Sequence, residues 1–285
     1  MQIIKPTKPV GELTIEVVRE IKKISNELQI ELLLVGAQAK VILLQNIFGL
    51  DPGRATDDID FAFAVENWVE FDQIKQRLIS TGNFRALPNT AQRLLYKSNL
   101  TENEFVVDLI PFGSVQDEKN MIAWPPNMDI VMNVSGYQET LASSLLVEIA
   151  PKLIVNVVSL PGLAILKIFA WSDRGNTTEN KDAVDLLTLL RTYHSAGNID
   201  RVYDETDVLE SFNYEPELAG AWLLGRDVAE IANESTIKTM MTLLKQKRVN
   251  LITQMAKSLT ANEDALGYAE QLLTAYIKGL KQNTE

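Results

Sequence analysis

Strand-like segments occur only in the first 160 residues of this 285-residue chain, and this division limits the folds that the sequence can adopt. Short apolar or alternating runs, the pattern typical of strands, lie at 31–35, 58–65, 92–98, 104–110, 145–149 and 154–158. Apolar residues at helical spacing occur at 12–28, before the first of these runs, and at 37–48 and 69–79, between later ones. Residues 112–128, which include Trp124-Pro-Pro126, have the composition of a loop.

The pattern changes at Leu160-Pro-Gly162, after which only helical spacing remains. The helical segments lie at 163–171, 181–193, 216–232, 235–245 and 263–280. The sequence therefore predicts an α+β protein, with a mixed α/β domain over residues 1–160 and an all-helical domain over residues 161–285.

The composition restricts the kind of metal site that the chain can form. It has no cysteine and a single histidine, His194, so disulfides, thiolate metal sites and multi-histidine zinc sites are excluded. A catalytic metal must then be held mainly by oxygen ligands, which favours Mg²⁺ or Mn²⁺.

The formal net charge is −11. A protein that wraps nucleic acid usually carries a basic face, because phosphate contacts dominate its affinity. The acidity makes extended nucleic-acid binding less expected, although it leaves a local basic groove open. A small charged substrate, such as a metal-bound nucleotide, is compatible with it.

No segment has the pattern of a signal peptide or a membrane span. The first residues lack an apolar core of signal-peptide length. The most apolar window, 155–171, is interrupted by Pro161, Gly162 and Lys167, whereas a bilayer requires about 20 apolar residues. We expect a cytoplasmic protein with no membrane partner.

Two aspartates in one strand are the first candidates for chemistry. Asp58 and Asp60 lie two residues apart, so both side chains leave the same face of a sheet. Two like charges about 6 Å apart repel by ~3 kcal/mol at an effective dielectric constant near 20, and a cation such as Mg²⁺ offsets this. On these two residues alone, a pair of solvated aspartates at a sheet edge is the more common arrangement.

The segment before them favours a nucleotide site. Gly36 ends the strand-like run 31–35 and opens a helix, whose free N–H groups can bind phosphate. Glycine allows close backbone approach, and Lys40, one turn later, adds a positive charge. A phosphate-binding helix start followed by a carboxylate pair is more specific than either feature alone.

Leu34-Val-Gly-Ala37 and Asp58-Ile-Asp-Phe61 resemble the paired signature of the DNA polymerase β-type nucleotidyltransferase superfamily. The resemblance implies a nucleotidyltransferase-type mixed β-sheet domain with flanking helices and a third carboxylate on a later strand. Asp108, in Phe105-Val-Val-Asp-Leu-Ile110, matches it, since an acid in an apolar strand is costly unless paired or metal-bound. The alternative for Asp108 is a capping or salt-bridged aspartate at the strand end.

One residue departs from that signature. Ala37 stands where the family usually has Gly or Ser, so a phosphate-binding hydroxyl is missing. Backbone N–H groups can still bind phosphate there, and Gln38 can restore part of the polarity.

The second half is similar to the AbiEii-type nucleotidyltransferases, the toxin components of some bacterial toxin–antitoxin and phage-abortive systems. The similarity rests on the run Leu160–Arg174 and on Lys181-Asp-Ala-Val-Asp-Leu186. It implies that Lys167 contacts the nucleotide phosphates and that Asp182, together with Asp185, supports the site. Read locally, Lys167 in an apolar helix either extends to solvent or reaches an anion.

The resemblance implies a Mg²⁺- or Mn²⁺-dependent transfer of a nucleoside monophosphate from a nucleoside triphosphate to an acceptor. Asp58, Asp60 and Asp108 are the expected metal ligands. The acceptor is expected to be RNA, tRNA in particular, or a protein, with an antitoxin as partner if the chain is a toxin. The alternatives are a small-molecule nucleotidyltransferase, such as one acting on aminoglycosides, and a catalytically silent nucleotide-binding module. A basic groove would favour RNA, and a closed acidic pocket a cationic small molecule.

Overall fold

The computed structural model of the chain describes residues 2–54, 58–88, 90–101, 103–174, 181–259 and 264–282. The chain forms two compact units, Met1–Ser159 and Leu160–Glu285.

The first unit is built on a mixed sheet of eight strands. Its strands and those of a separate hairpin are β1 (Ile3–Ile4), β2 (Glu31–Val35), β3 (Asp58–Val65), β4 (Phe84–Ala86), β5 (Arg93–Lys97), β6 (Glu104–Gly113), β7 (Met121–Ala123), β8 (Val131–Asn133), β9 (Leu145–Ala150) and β10 (Leu153–Val157). The order in the large sheet is β1-β9-β10-β2-β3-β6-β5-β4. The pairs β1–β9, β10–β2 and β3–β6 are parallel and the others antiparallel. All six predicted strands are present.

Helices accompany this sheet in the first unit. They are α1 (Glu12–Leu28), α2 (Gly36–Val41), α3 (Trp68–Ser80) and α4 (Tyr137–Ala142). Helix α1 has the predicted bounds because Val17, Ile21 and Ile24 recur at helical spacing and are buried. It ends at Gln29, which adopts a left-handed conformation with φ 58°. The predicted helix 37–48 is divided, because α2 passes into a π-helical segment, Ile42–Ile47.

The predicted loop 112–128 is wrong in part. Strand β6 continues to Gly113, and β7 pairs with β8 in a two-stranded antiparallel sheet. Strands of three residues contain too few positions for an alternating pattern to stand out, which explains why the sequence did not indicate them.

The second unit is helical throughout its described residues. Its helices are α5 (Leu160–Arg174), α6 (Lys181–Thr192), α7 (Ile199–Asp204), α8 (Thr206–Ser211), α9 (Pro216–Ile231), α10 (Glu234–Gln246), α11 (Arg248–Ala256) and α12 (Ala265–Lys281). Helices α9 and α12 pack closely because Gly279 lacks a side chain: a Cβ there would lie 1.9 Å from the Trp222 carbonyl oxygen. Together with the mixed sheet of the first unit, these helices confirm the predicted fold class.

None of the helices among the described residues has the length and apolar character that a membrane crossing requires.

Candidate active site

Three acidic side chains converge on one face of the large sheet of the first unit. Strands β3 and β6 are parallel neighbours with Asp60 directly beside Asp108. Asp58 lies two residues before Asp60, and alternation along the strand places both on the same face. Ligand oxygens of the three carboxylates lie within 4.8 Å of one another. The structure therefore brings together the three carboxylates that the sequence indicated.

This cluster has the donor chemistry of a hard divalent cation. All its donors are carboxylate oxygens, the ligands that Mg²⁺ and Mn²⁺ prefer. Each residue is only partly buried, so an ion can reach the oxygens from solvent. In the described part of the chain, no other three acidic or histidine side chains come this close together. The residues present thus fit the metal that the sequence predicted.

A fourth residue of this face, Arg93, was not predicted from the sequence. It lies on β5, directly opposite Asp108 of the antiparallel neighbour β6. Its Nε donates to Oδ1 of Asp108 and its second terminal nitrogen to Oδ2, both at 2.7 Å. The hydrogen bond with Asp108 raises the pKa of the Arg93 guanidinium, and the charges of Asp58 and Asp60 raise it further. Asp108 is therefore salt-bridged, as in the alternative considered for it, but in mid-strand and within the acidic cluster.

Gly36 brings the start of helix α2 against the carboxylates. Its φ is +71°, and a Cβ at this position would lie 1.9 Å from Oδ2 of Asp60. Val35, which precedes it, is paired with Asp60 across β2 and β3 and cannot cap the helix with a side chain. The first N–H groups of α2 therefore begin beside Asp60, as the predicted phosphate site requires.

We expect Gly36→Ala to destabilise the first unit more than Gly82→Ala does. Gly82 also has a positive φ, +85°, but a Cβ there meets nothing within 4 Å. Both changes should cost about 1–2 kcal/mol for the left-handed backbone. Only Gly36→Ala adds the overlap with Asp60, worth about 1–3 kcal/mol more. Urea unfolding of the two variants measures the difference between their free energies of unfolding. If both variants lose the same free energy of unfolding, Asp60 moves aside freely.

The other two residues predicted in this turn are buried. Ala37 is 3% exposed and Lys40 1% exposed. The structure thus places the Lys40 side chain inside the first unit rather than on its surface, and Ala37 can offer a ligand only its backbone. Their roles in phosphate binding stay predictions.

Lys167 lies in the second unit and is held by two acidic residues. Its Nζ lies 2.6 Å from Oδ2 of Asp185 and 3.1 Å from Oδ1 of Asp182. Asp182 and Asp185 are three residues apart on α6, so both face α5. Lys167 is 8% exposed, and a lysine that extends to bulk solvent is therefore the wrong local interpretation.

The charge of Lys167 is stabilised by these neighbours. Burial lowers the pKa of Lys167, but the charges of Asp185 and Asp182 and their hydrogen bonds outweigh this, so the pKa is raised above its ordinary value. Arg174 adds a second cation, 2.9 Å from Oδ2 of Asp182. Arg174 lies seven residues after Lys167 and hence on the same helix face, a spacing visible in the sequence, although no role was predicted for it.

A family model described as "Nucleotidyl transferase AbiEii toxin, Type IV TA system" matches residues 29–250. This range includes every candidate residue named above. No curated protein sequence matches the chain.

Several solved structures are similar to this chain at low identity. A crystal structure of an antigenic nucleotidyltransferase-like protein from Paracoccidioides brasiliensis is 17% identical over 72% of this chain and 93% of that one, with a TM-score of 0.42. The antibiotic-resistance factor ANT(2'')-Ia is 12% identical over 72% of this chain and 100% of its own, with a TM-score of 0.40. The Thermotoga maritima CCA-adding enzyme, solved with tRNA, is 11% identical over 99% of this chain and 85% of its own, with a TM-score of 0.26.

Proposed function

Because the chain belongs to the AbiEii family of nucleotidyl transferases, we propose that it transfers a nucleoside monophosphate from a nucleoside triphosphate to an acceptor, with Mg²⁺ or Mn²⁺ as cofactor. The observation that carries the proposal is the convergence of Asp58, Asp60 and Asp108 beside the helix start at Gly36. In this reaction an acceptor oxygen forms a bond to the α-phosphorus. The bond from that phosphorus to the bridging oxygen breaks, pyrophosphate leaves, and the acceptor loses a proton.

Asp58, Asp60 and Asp108 would hold the metal in this proposal. A divalent ion bound there supplies positive charge that neutralises the phosphate oxygens of the substrate. Arg93 offsets only one of the three carboxylate charges, so these four residues together stay negative and disfavour phosphate binding without a further cation. The nucleotide should therefore bind only when the metal is present.

The helix start would bind the phosphates of the leaving pyrophosphate. Backbone N–H groups of Gly36 and Ala37 are the donors, since the helix start has no side-chain cap and Ala37 has no hydroxyl. Helical backbone continues from α2 into the π-helical segment, so the aligned peptide dipoles extend beyond the six residues of α2. Lys40 adds positive charge from the interior.

Lys167 is proposed as the second cationic contact to the phosphates. Asp182 and Asp185 fix its ammonium group in position and keep it charged. Its catalytic contribution would be to neutralise charge that develops on the departing pyrophosphate.

We propose RNA, tRNA in particular, or a protein as the acceptor, and a role as the toxin of a toxin–antitoxin pair in the cytoplasm. The family description, a toxin of a type IV system, supports the toxin role, and the labelling experiment below tests the acceptor. The two alternatives, a small-molecule acceptor and a silent nucleotide-binding module, predict different labelled products in the experiment below.

We expect Mg²⁺ and a nucleoside triphosphate together to raise the melting temperature, because a ligand that binds only the native state stabilises it. At a ligand concentration about a hundred times Kd, the gain is about 2.7 kcal/mol. The triphosphate alone should give no such shift, and Mg²⁺ alone should give a smaller one. A scan of the four triphosphates by thermal unfolding identifies the preferred base.

The preferred triphosphate, labelled at the α-phosphate, is then incubated with the protein, Mg²⁺ and a cell extract. Label in RNA or protein supports the proposed acceptor, and label in a small molecule supports the first alternative. A thermal shift without any labelled product in the presence of active extract would support the silent module.

A further inference from the structure

The two hydrogen bonds between Arg93 and Asp108 use both oxygens of one proposed metal ligand. Nε and a terminal nitrogen of the guanidinium each donate to a different oxygen, the bidentate geometry of an arginine–carboxylate pair. An ionised carboxylate has about four lone-pair sites, two on each oxygen. The fork of Arg93 takes the two sites that point in the same direction, one on each oxygen. The two remaining sites point away from each other, so a single ion can use only one of them.

The position of Arg93 is fixed by the sheet. Arg93 and Asp108 are directly opposite residues of β5 and β6, and Asp60 is beside Asp108 on β3. The three residues form one row across three adjacent strands, so Asp108 lies between a cation on one side and a carboxylate on the other. The Asp108 side chain is 13% exposed, which leaves it little freedom to turn away from Arg93.

We propose that Arg93 determines the metal preference of the site by preventing Asp108 from binding a metal through both oxygens. This rests on the proposed function, in which Asp108 is a metal ligand. Mg²⁺ requires a near-octahedral set of single-oxygen contacts at about 2.0–2.1 Å, which Asp108 can supply while it stays bonded to Arg93. Ca²⁺ takes about six to eight oxygens and often uses both oxygens of one carboxylate. Arg93 thus disfavours Ca²⁺ more than Mg²⁺.

Lysine separates the geometry of Arg93 from its charge. Arg93→Lys keeps a positive charge beside Asp108 but presents one ammonium group in place of the planar fork. Arg93→Met removes the charge and keeps an unbranched stem. If the fork decides metal preference, both variants lose it, and if charge alone decides, only Arg93→Met changes.

The same sheet provides a matched control. Arg85 on β4 binds Glu104 of β6 with the same pair of nitrogens, Nε and a terminal nitrogen. Arg85→Lys therefore makes the same change in a bidentate pair that the acidic cluster does not include. Circular dichroism of each variant verifies that the fold is retained.

The test measures ion binding directly, without nucleotide or turnover. The Kd for Mn²⁺ is obtained from the electron paramagnetic resonance signal of the free ion, and those for Mg²⁺ and Ca²⁺ by competition. We expect the ratio of the Ca²⁺ Kd to the Mg²⁺ Kd to fall about tenfold in Arg93→Lys and Arg93→Met, the equivalent of one gained charge-assisted contact. Arg85→Lys should keep the wild-type ratio.

Each other outcome overturns the proposal in a recognisable way. A wild-type protein that binds none of the three ions overturns the proposed metal site and the role of Arg93 with it. Normal ion binding with an unchanged ratio in both Arg93 variants overturns the role of Arg93 alone. A ratio that changes in Arg93→Met but not in Arg93→Lys assigns the effect to charge, which also overturns the role of the fork.

Discussion

Replacing Asp60 by asparagine should greatly slow nucleotidyl transfer and leave the protein folded. Asp60 lies between Asp108 on the neighbouring strand and the Gly36 turn, so it faces both the proposed metal and the proposed phosphates. Loss of a metal ligand worth about 4 kcal/mol in the transition state lowers the rate by about a thousandfold. The rate of label transfer from an α-labelled triphosphate, compared with wild type, measures this loss.

The same variant separates catalysis from stability. Asparagine has nearly the shape of aspartate, and it removes one of three like charges from the cluster. The metal-free variant should therefore unfold at the wild-type temperature or above it. Mg²⁺ with nucleotide should no longer raise that temperature. Asp72→Asn, which removes the same charge from the exposed face of α3, is the control and should behave as wild type. An Asp60→Asn variant that binds metal and nucleotide normally would contradict the assigned site.

Long elements with a regular apolar pattern were predictable from sequence, whereas the short helices α4, α7 and α8 and the nine-residue helix α11 were not predicted. Helix α1 and strands β2 and β3 have the predicted bounds because each buries one regular face or run. Strands β1, β4 and β7 have two or three residues, too few for a period to be detected. The π-helical segment Ile42–Ile47 has the apolar composition of an ordinary helix, so the sequence predicted the helix and not its change of pitch.

The site was predictable to the extent that it depends on local pattern. Alternation alone placed Asp58 and Asp60 on one face. The assignment of Asp108 to the site rested on the cost of an acid in an apolar strand and on the resemblance to a known family. The position of Arg93 depends on the pairing register of β5 with β6, which brings two residues 15 positions apart in sequence into contact. A shift of one residue would turn Arg93 to the opposite face, and no local feature of the sequence fixes that register.

Replacing Lys167 by methionine should impair both folding and catalysis. Methionine keeps a long unbranched stem but removes the cation that Asp182 and Asp185 share. Removing one partner of a buried ion pair costs about 3–5 kcal/mol, so the helices of the second unit should unfold at lower urea concentration. If Lys167 also contacts phosphate, kcat should fall by about a hundredfold or more, with a smaller change in nucleotide affinity.

A second substitution distinguishes the two effects. Asp185 is fully buried, and Asp185→Asn in the Lys167→Met background removes the deeper of the two negative charges that Lys167 neutralised. Replacing both members of a buried pair is often close to neutral for stability, so the double variant should recover much of the lost free energy of unfolding. Asp182 keeps its contact with Arg174 in both variants.

The recovered stability then makes the activity informative. A lysine needed only for folding would give a double variant with restored stability and restored turnover. A lysine that neutralises the leaving pyrophosphate would give restored stability with turnover still reduced, because neither methionine nor asparagine supplies a cation. We expect the second result, since the resemblance to the AbiEii-type nucleotidyltransferases implies that Lys167 contacts the nucleotide phosphates. Restored turnover in the stable double variant would remove Lys167 from the catalytic residues and leave it a structural ion pair.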